Sequence, residues 1–328
     1  MKDFLDTVLL IALPASGKSE VRRYLMHEER DRRVEMFHLS DTVQLDDYPY
    51  VEFMRDTDEA LAALGQEPRF FEGVHGRFLH GDDWGVLLRL VNDDWEVMVN
   101  PEAPTPEPDP ERIFDRIDRH RESLGAPAAY RTLPGDVRAA LAERMAAKAA
   151  WVVDELFGHR PDRIDDKTLV IEFARGGPDG ADMPLDRPHG YRWNLSNLRP
   201  EILERASVLY IQVTPEESRR KNAARAPKPG ETNTVLFHAA PDAVMMNDYG
   251  CDDIAWLMEQ ARHPNTIEIP AHGRTYTLPI GVFDNRVDKT TFVRQPPEQW
   301  DPSLRDQLHG GLRDALSRLW DAHVALRG

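Results

Sequence analysis

The sequence Thr7-Val-Leu-Leu-Ile-Ala-Leu-Pro-Ala-Ser-Gly-Lys-Ser19 contains, in order, the signals of a strand, a tight loop and the start of a helix. The apolar run over residues 8–13 is rich in β-branched and aliphatic side chains, which predicts a buried strand. Small residues then form a short loop, and a helical pattern follows from Gly17 to about Arg30. Val21, Tyr24 and Leu25 fall on one face of that helix, which we expect to be buried.

The loop resembles the P-loop pattern G-x-x-x-x-G-K-[ST], with Ala12 in place of the first glycine. In such a loop, backbone N–H groups and the positive end of the new helix bind phosphate oxygens. The resemblance implies that Lys18 reaches the β- and γ-phosphates and that the Ser19 hydroxyl binds Mg²⁺. It assigns nucleotide binding to seven consecutive residues: Pro14, Ala15, Ser16, Gly17, Lys18, Ser19 and Glu20. The alternative is an ordinary strand–turn–helix with an exposed lysine.

The composition restricts the classes of function. The 328 residues include 41 Lys and Arg against 57 Asp and Glu, a formal net charge of −16. This surplus of negative charge argues against nonspecific binding to nucleic acid or to anionic membranes. No apolar run approaches the length that spans a membrane. The single cysteine, Cys251, fits a reducing compartment, so we expect a cytoplasmic protein.

Strand patterns alternate with helical patterns along the chain, which predicts an α/β fold with a mostly parallel sheet in a three-layer sandwich. Residues 1–48 and 158–328 form the predicted core, and residues 49–157 form an α-rich insertion between the second and third strands. The second to fourth strands are expected at residues 34–39, 168–173 and 208–213. A hairpin over residues 266–283 and a closing helix over residues 302–326 complete the core.

Acidic residues follow two of the predicted strands, where ligands gather in an α/β sheet. Asp41, Asp46 and Asp47 come after the second strand, and one of them could accept a proton from a substrate hydroxyl. Glu172 ends the third strand, and a buried acid is costly unless it is paired or bound to metal. It could therefore contact Mg²⁺ or a substrate. The alternatives are a solvated acidic loop for the aspartates and an ion pair with Arg175, or another base, for Glu172.

A cluster of bases follows the fourth strand. The helix that begins at Thr214 carries Arg219, Arg220, Lys221 and Arg225, an unusual local density in so acidic a chain. We interpret it as a lid that closes over a transferring phosphoryl group, followed by a loop at residues 226–230. The alternative is a solvated helix whose bases pair with Glu216 and Glu217.

Three stretches together look like the P-loop kinase group, which includes nucleoside, nucleoside-monophosphate and small-metabolite kinases. They are residues 12–19, the segment Leu45-Asp-Asp-Tyr48 and the basic helix. The resemblance implies ATP and Mg²⁺ as ligands and an acceptor site that contains Glu172 and Arg175. It implies catalytic roles for Lys18, the three aspartates, Arg219, Arg220 and Arg225. The long stretch between the second and third strands departs from small kinases of the group.

The sequence therefore predicts a kinase that phosphorylates a small hydroxyl- or phosphate-bearing acceptor such as a nucleoside or nucleotide. One rival is a switch or assembly ATPase whose insertion binds a protein partner, and another is a scaffold that binds nucleotide without turnover. No Asn-Lys-x-Asp tetrapeptide is present, which weighs against a GTPase. The expected partners are a nucleotide and a small molecule, with no membrane and no nucleic acid, and a homodimer is left open.

Overall fold

A mixed sheet forms the centre of the computed structural model, which describes residues 2–73, 76–225 and 240–327. Its strands, in chain order, are β1 (Thr7–Ile11), β2 (Asp41–Asp46), β3 (Lys167–Phe173), β4 (Ser207–Gln212), β5 (Thr266–Ala271) and β6 (Arg274–Asp284). The spatial order is β2-β3-β1-β4-β6-β5. Every neighbouring pair is parallel except β5 and β6, which form the expected antiparallel hairpin.

Helices fill the segments between the strands. In chain order they are α1 (Lys18–His27), α2 (Arg30–Phe37), α3 (Tyr48–Ala63), α4 (Asp83–Val99), α5 (Pro110–Leu124), α6 (Gly135–Phe157), α7 (Gly190–Leu195), α8 (Pro200–Arg205), α9 (Pro215–Ala224), α10 (Asp242–Asn247), α11 (Ile254–Gln260) and α12 (Pro302–Arg327). In the described ranges, no helix has the length and apolar character needed to cross a membrane.

The two faces of the sheet bury different apolar clusters, because successive side chains of a strand point to opposite faces. Val8 and Leu10 of β1 pack with α1 and α12, whereas Leu9 and Ile11 pack with α3 to α6. Helices therefore cover both faces of β1, whose residues are all buried. The helices between β2 and β3 share a continuous apolar cluster with the sheet.

The predicted second strand is wrong. Residues 34–37 belong to α2, which ends where His38 takes a left-handed conformation with φ of 52°. A short apolar run does not distinguish a strand from a buried helix segment, and here the run belonged to a helix. The strand that follows, β2, alternates instead: Val43 and Leu45 are buried, and their neighbours are half-buried. This alternation fits an edge strand that pairs only with β3.

Candidate active site

A cavity of about 550 Å³ opens at the carboxyl ends of β1, β2 and β3. In the sheet, β3 and β2 lie on one side of β1, and β4 lies on its other side. Ligands of α/β sheets bind where the strand order reverses in this way. The loop after β1 forms one part of the lining, and residues of α3 and α6 form another part, which we call the helical wall.

The loop after β1 has the backbone geometry of an anion-binding site. Ala15 and Gly17 both have positive φ, of 55° and 103°. A Cβ on Gly17 would lie 2.5 Å from Thr290 Oγ1, so only glycine fits there. Helix α1 begins at Lys18, and the amides of Gly17, Lys18 and Ser19 find no acceptor among the described residues. Unpaired amides at a helix N-terminus bind phosphate or other anions.

Lys18 and Ser19 line the cavity. Burial lowers the pKa of the Lys18 ammonium, and the nearby carboxylates of Glu172, Asp46 and Asp47 oppose that shift. The ammonium therefore lies within a group of negative charges in a partly desolvated site, where its electrostatic interactions are strong.

Asp46 and Glu172 stand directly beside each other on the neighbouring strands β2 and β3. The Asp46 carboxylate accepts a hydrogen bond of 2.9 Å from the amide of Tyr48. Burial, together with the negative charges of Glu172 and Asp47, raises the pKa of Asp46 to about 8. A carboxyl group in this range can exchange a proton near neutral pH.

Asp47 lies in a different environment although it is the next residue. Its Oδ2 is 2.7 Å from Nη2 of Arg175, and both side chains are buried. Nε of Arg175 also donates to Asn194 Oδ1 at 2.8 Å. Arg175 therefore pairs with Asp47, whereas Glu172 Oε2 lies 3.3 Å from Nε of Arg22. Glu172 and Arg175, which the resemblance assigns to one acceptor site, thus form ion pairs with different residues.

The bases of α9 divide into two groups. Arg225 lines the cavity, and its Nη2 is 3.2 Å from both carboxylate oxygens of Glu20. Arg219 and Arg220 are not among the described residues of the lining; they pair with Glu216 at 3.4 Å and with Glu217 at 2.7 Å. Of the predicted basic cluster, only Arg225 therefore reaches the site. The predicted loop over residues 226–230 lies outside the described residues.

Four other predicted residues are not among the described residues of the cavity lining: Ser16, Gly17, Glu20 and Asp41. Asp41 begins β2 rather than following the second strand, so it lies at the opposite end of the strand from Asp46 and pairs with Arg33. Its expected position is wrong because the second strand was misplaced. Glu20 is buried, and its Oε1 accepts a hydrogen bond of 2.6 Å from Nε of Arg294.

The structure places further residues in the lining of the cavity, beyond those of the predicted site. Arg22 lies four residues after Lys18 on α1, and this helical spacing was a usable signal. Trp84 and Tyr249 line the cavity with ring centroids 5.5 Å apart. Four acidic residues of the helical wall also line it: Glu52, Asp56, Glu59 and Glu155. No pattern in the sequence indicates that α3 and α6 line the same cavity as the loop after β1.

The residues present suit Mg²⁺, which prefers oxygen ligands and commonly uses one or two carboxylates together with substrate phosphates. Ser19, Asp46 and Glu172 bring hydroxyl and carboxylate oxygens to the same cavity. Within the described part of the chain, no group of three or more His, Cys, Asp or Glu residues forms a metal-binding cluster. A magnesium site at Ser19 and Glu172 stays a prediction.

Comparison of the chain with known protein families, curated proteins and solved structures finds no match.

Proposed function

We propose that the protein is an ATP-dependent phosphotransferase that acts on a small hydroxyl-bearing acceptor. The observation that carries this proposal is the convergence of Lys18, Ser19 and Asp46 on one cavity, next to loop amides that have no acceptor among the described residues. Phosphoryl transfer needs little from a protein beyond positioning and charge stabilisation, together with a group that accepts the hydroxyl proton. This cavity has residues for each of these tasks.

The roles follow from position. The loop amides and Lys18 bind the phosphates, and Arg225 offsets negative charge that develops during transfer. The acceptor oxygen forms a bond to the γ-phosphorus, the bond from that phosphorus to the β–γ bridging oxygen breaks, and ADP leaves. The proton of the hydroxyl passes to the Asp46 carboxylate and then to solvent. Mg²⁺, held by Ser19 and Glu172, would neutralise phosphate charge.

Asp46 is the better proton acceptor of the two adjacent aspartates. Its pKa of about 8 lies near a neutral working pH, where a general base is most effective. Asp47 is 2.7 Å from the buried Arg175 guanidinium, so its carboxylate is already engaged by a permanent positive charge. We therefore assign proton transfer to Asp46 and a structural role to Asp47.

The helical wall favours an acceptor without a phosphate group. Its four acidic side chains line the cavity together with Arg55, and Lys148 lies beside two of them. Nζ of Lys148 is already 3.1 Å from Asp56 and 3.9 Å from Glu52. A phosphorylated acceptor would meet a surplus of negative charge there, which is unfavourable. Among the predicted acceptors, a nucleoside or another neutral or cationic alcohol fits this wall better than a nucleotide.

The proposal is tested by measuring ADP formation from ATP·Mg²⁺ in the presence of a panel of acceptors. The panel contains nucleosides, their monophosphates, neutral sugars and amino alcohols, and phosphorylated products are identified by mass spectrometry. We expect one class of unphosphorylated alcohol to stimulate turnover and to appear as its phosphate ester. Stimulation by a protein partner and by no small molecule would instead support the switch ATPase.

A further inference from the structure

Three side chains bind alternate carbonyl oxygens of the loop after β1. Tyr191 Oη donates to the carbonyl of Ala12 at 2.9 Å, and Ser218 Oγ donates to that of Pro14 at 2.7 Å. Nδ2 of Asn285 donates to the carbonyl of Ser16, also at 2.7 Å. The loop is thus held at every second residue from Ala12 to Ser16.

The three donors come from separate parts of the fold, and each is fully buried. Tyr191 belongs to α7, Ser218 to α9, and Asn285 follows β6. Two of them are fixed by further hydrogen bonds. Tyr191 Oη accepts from the amide of Arg175 at 3.1 Å, and Asn285 Oδ1 accepts from the amide of Lys289 at 2.7 Å. The loop is therefore bound to positions that the surrounding structure already determines.

The direction of these bonds determines where the loop amides point. In a trans peptide, the carbonyl of one residue and the N–H of the next point in opposite directions. Pro14 and Ala15 line the cavity, whereas none of the three donors is among its described lining residues. Because the carbonyls of Ala12, Pro14 and Ser16 point towards the donors, the amides of residues 13, 15 and 17 point away from them, and of these three residues Ala15 lines the cavity.

The same bonds hold a strained backbone. Ala15 has φ of 55°, a left-handed conformation that a residue with a Cβ adopts at a cost. Such residues persist where the surrounding structure over-determines them. The bonded carbonyls of Pro14 and Ser16 belong to the residues on either side of Ala15. Their hydrogen bonds therefore oppose a change of the Ala15 backbone to a less strained conformation.

We infer that Tyr191, Ser218 and Asn285 are positioning residues that pre-form the loop as a binding site for the polyphosphate group of a nucleotide. The inference rests on the proposed function, and it adds three residues distant in sequence from the phosphate loop. A binding site formed before its ligand arrives avoids the cost of ordering the loop on binding. Loss of one hydroxyl should therefore weaken phosphate binding more than it disturbs the fold.

The test compares Tyr191→Phe and Ser218→Ala with the control Tyr130→Phe. Tyr130 is also fully buried, and its hydroxyl hydrogen-bonds to Thr57 at 3.0 Å among the helices between β2 and β3. Calorimetric titration measures the Kd of ATP·Mg²⁺ and of inorganic triphosphate, and thermal unfolding measures the stability of each variant. Ser218→Ala and Tyr130→Phe each lose one buried hydrogen bond and should lose comparable stability, whereas Tyr191→Phe loses two and should lose more.

We expect each loop-contacting variant to raise the Kd of both ligands about tenfold, the equivalent of ~1.4 kcal/mol. Inorganic triphosphate should show the same factor as ATP, because it contacts only the phosphate-binding part of the site. The control should bind both ligands as the unmodified protein does. Unchanged Kd values in both loop-contacting variants would overturn this inference and leave the proposed function standing, whereas failure of the unmodified protein to bind either ligand would overturn both.

Discussion

The two walls of the cavity differ in how their charged groups are held. The sheet wall consists of Lys18 on the first turn of α1, Asp46 at the end of β2 and Glu172 near the end of β3. Pairing of β2 with β3 sets the positions of Asp46 and Glu172. On the helical wall, Glu59 and Glu155 are exposed side chains of α3 and α6. Charges in the partly desolvated sheet wall interact strongly, whereas those in contact with water are screened.

From this difference, we propose that the sheet wall determines the rate of the chemical step and that the helical wall influences which acceptor is used. Groups fixed by the sheet can shift one another's pKa, as Glu172 and Asp47 do for Asp46. The exposed acids contribute a general field, which favours or opposes charged acceptors without fixing their orientation. We therefore expect substitutions on the sheet wall to change rate or stability strongly, and those on the helical wall to change selectivity modestly.

The largest expected effect is that of Asp46→Asn on phosphoryl transfer. Asparagine keeps the shape of the side chain but cannot accept the hydroxyl proton, so transfer to the acceptor should fall by about 10²–10⁴. The affinity for ATP·Mg²⁺ should change little, because Asp46 lies outside the phosphate loop. Steady-state kinetics with the best acceptor measure this effect. Near-normal transfer by the folded variant would remove Asp46 from the mechanism.

Asp47→Asn should instead act on stability. The change leaves the buried guanidinium of Arg175 without its anionic partner, and breaking a buried ion pair from one side costs about 3 kcal/mol. Urea denaturation measures the loss in the free energy of unfolding. If Asp47→Asn abolished transfer and left the stability unchanged, the two adjacent aspartates would have to exchange their assigned roles.

On the helical wall, we expect the double variant Glu59→Gln/Glu155→Gln to change selectivity by a few-fold, the usual scale for exposed charges. The ratio of kcat/KM for a nucleoside to that for its monophosphate should fall, because the variant repels phosphate less. Glu143→Gln, an exposed acid of α6 that is not among the described cavity residues, is the matched control. A preference of the unmodified protein for the monophosphate would contradict the proposal that the negative charge of this wall disfavours phosphorylated acceptors.

A further prediction concerns the pH dependence of stability. The folded-state pKa of Asp46 is about 8, against an ordinary value of 3.8, so the fold favours its protonated form. That contribution is fully present below pH 3.8 and is lost as pH rises to 8. The stability of Asp46→Asn relative to the unmodified protein should therefore rise between about pH 4 and 8. Urea denaturation of both proteins across this pH range measures the difference.

The sequence predicted much of the sheet wall because local patterns determine it. An apolar run followed by Pro14-Ala-Ser-Gly-Lys-Ser19 was enough to predict β1, the loop and α1, and these elements are present. The strand at 168–173 and the hairpin were also predicted, because β-rich apolar runs end at clear turns. The second strand was misplaced because Val34, Met36 and Phe37 make a short apolar run that belongs to a helix.

The helical wall could not be predicted in the same way. Its helices were expected from their periodicity, but which face of α3 or α6 meets the cavity depends on packing between segments distant in the chain. The ion pair of Asp47 with Arg175 joins residues 128 positions apart, and the bond from Asn285 to Ser16 spans 269 positions. No local pattern encodes such contacts, so they require the folded chain.

Nucleotide binding by the loop after β1 is the central claim, and thermal unfolding with and without ATP·Mg²⁺ tests it most directly. A ligand present at about 100 times its Kd stabilises the folded state by roughly 2.7 kcal/mol. We predict that ATP·Mg²⁺ raises the Tm of the unmodified protein and raises that of a folded Lys18→Ala variant much less. An unmodified protein whose Tm does not change at millimolar ATP·Mg²⁺ would contradict the claim.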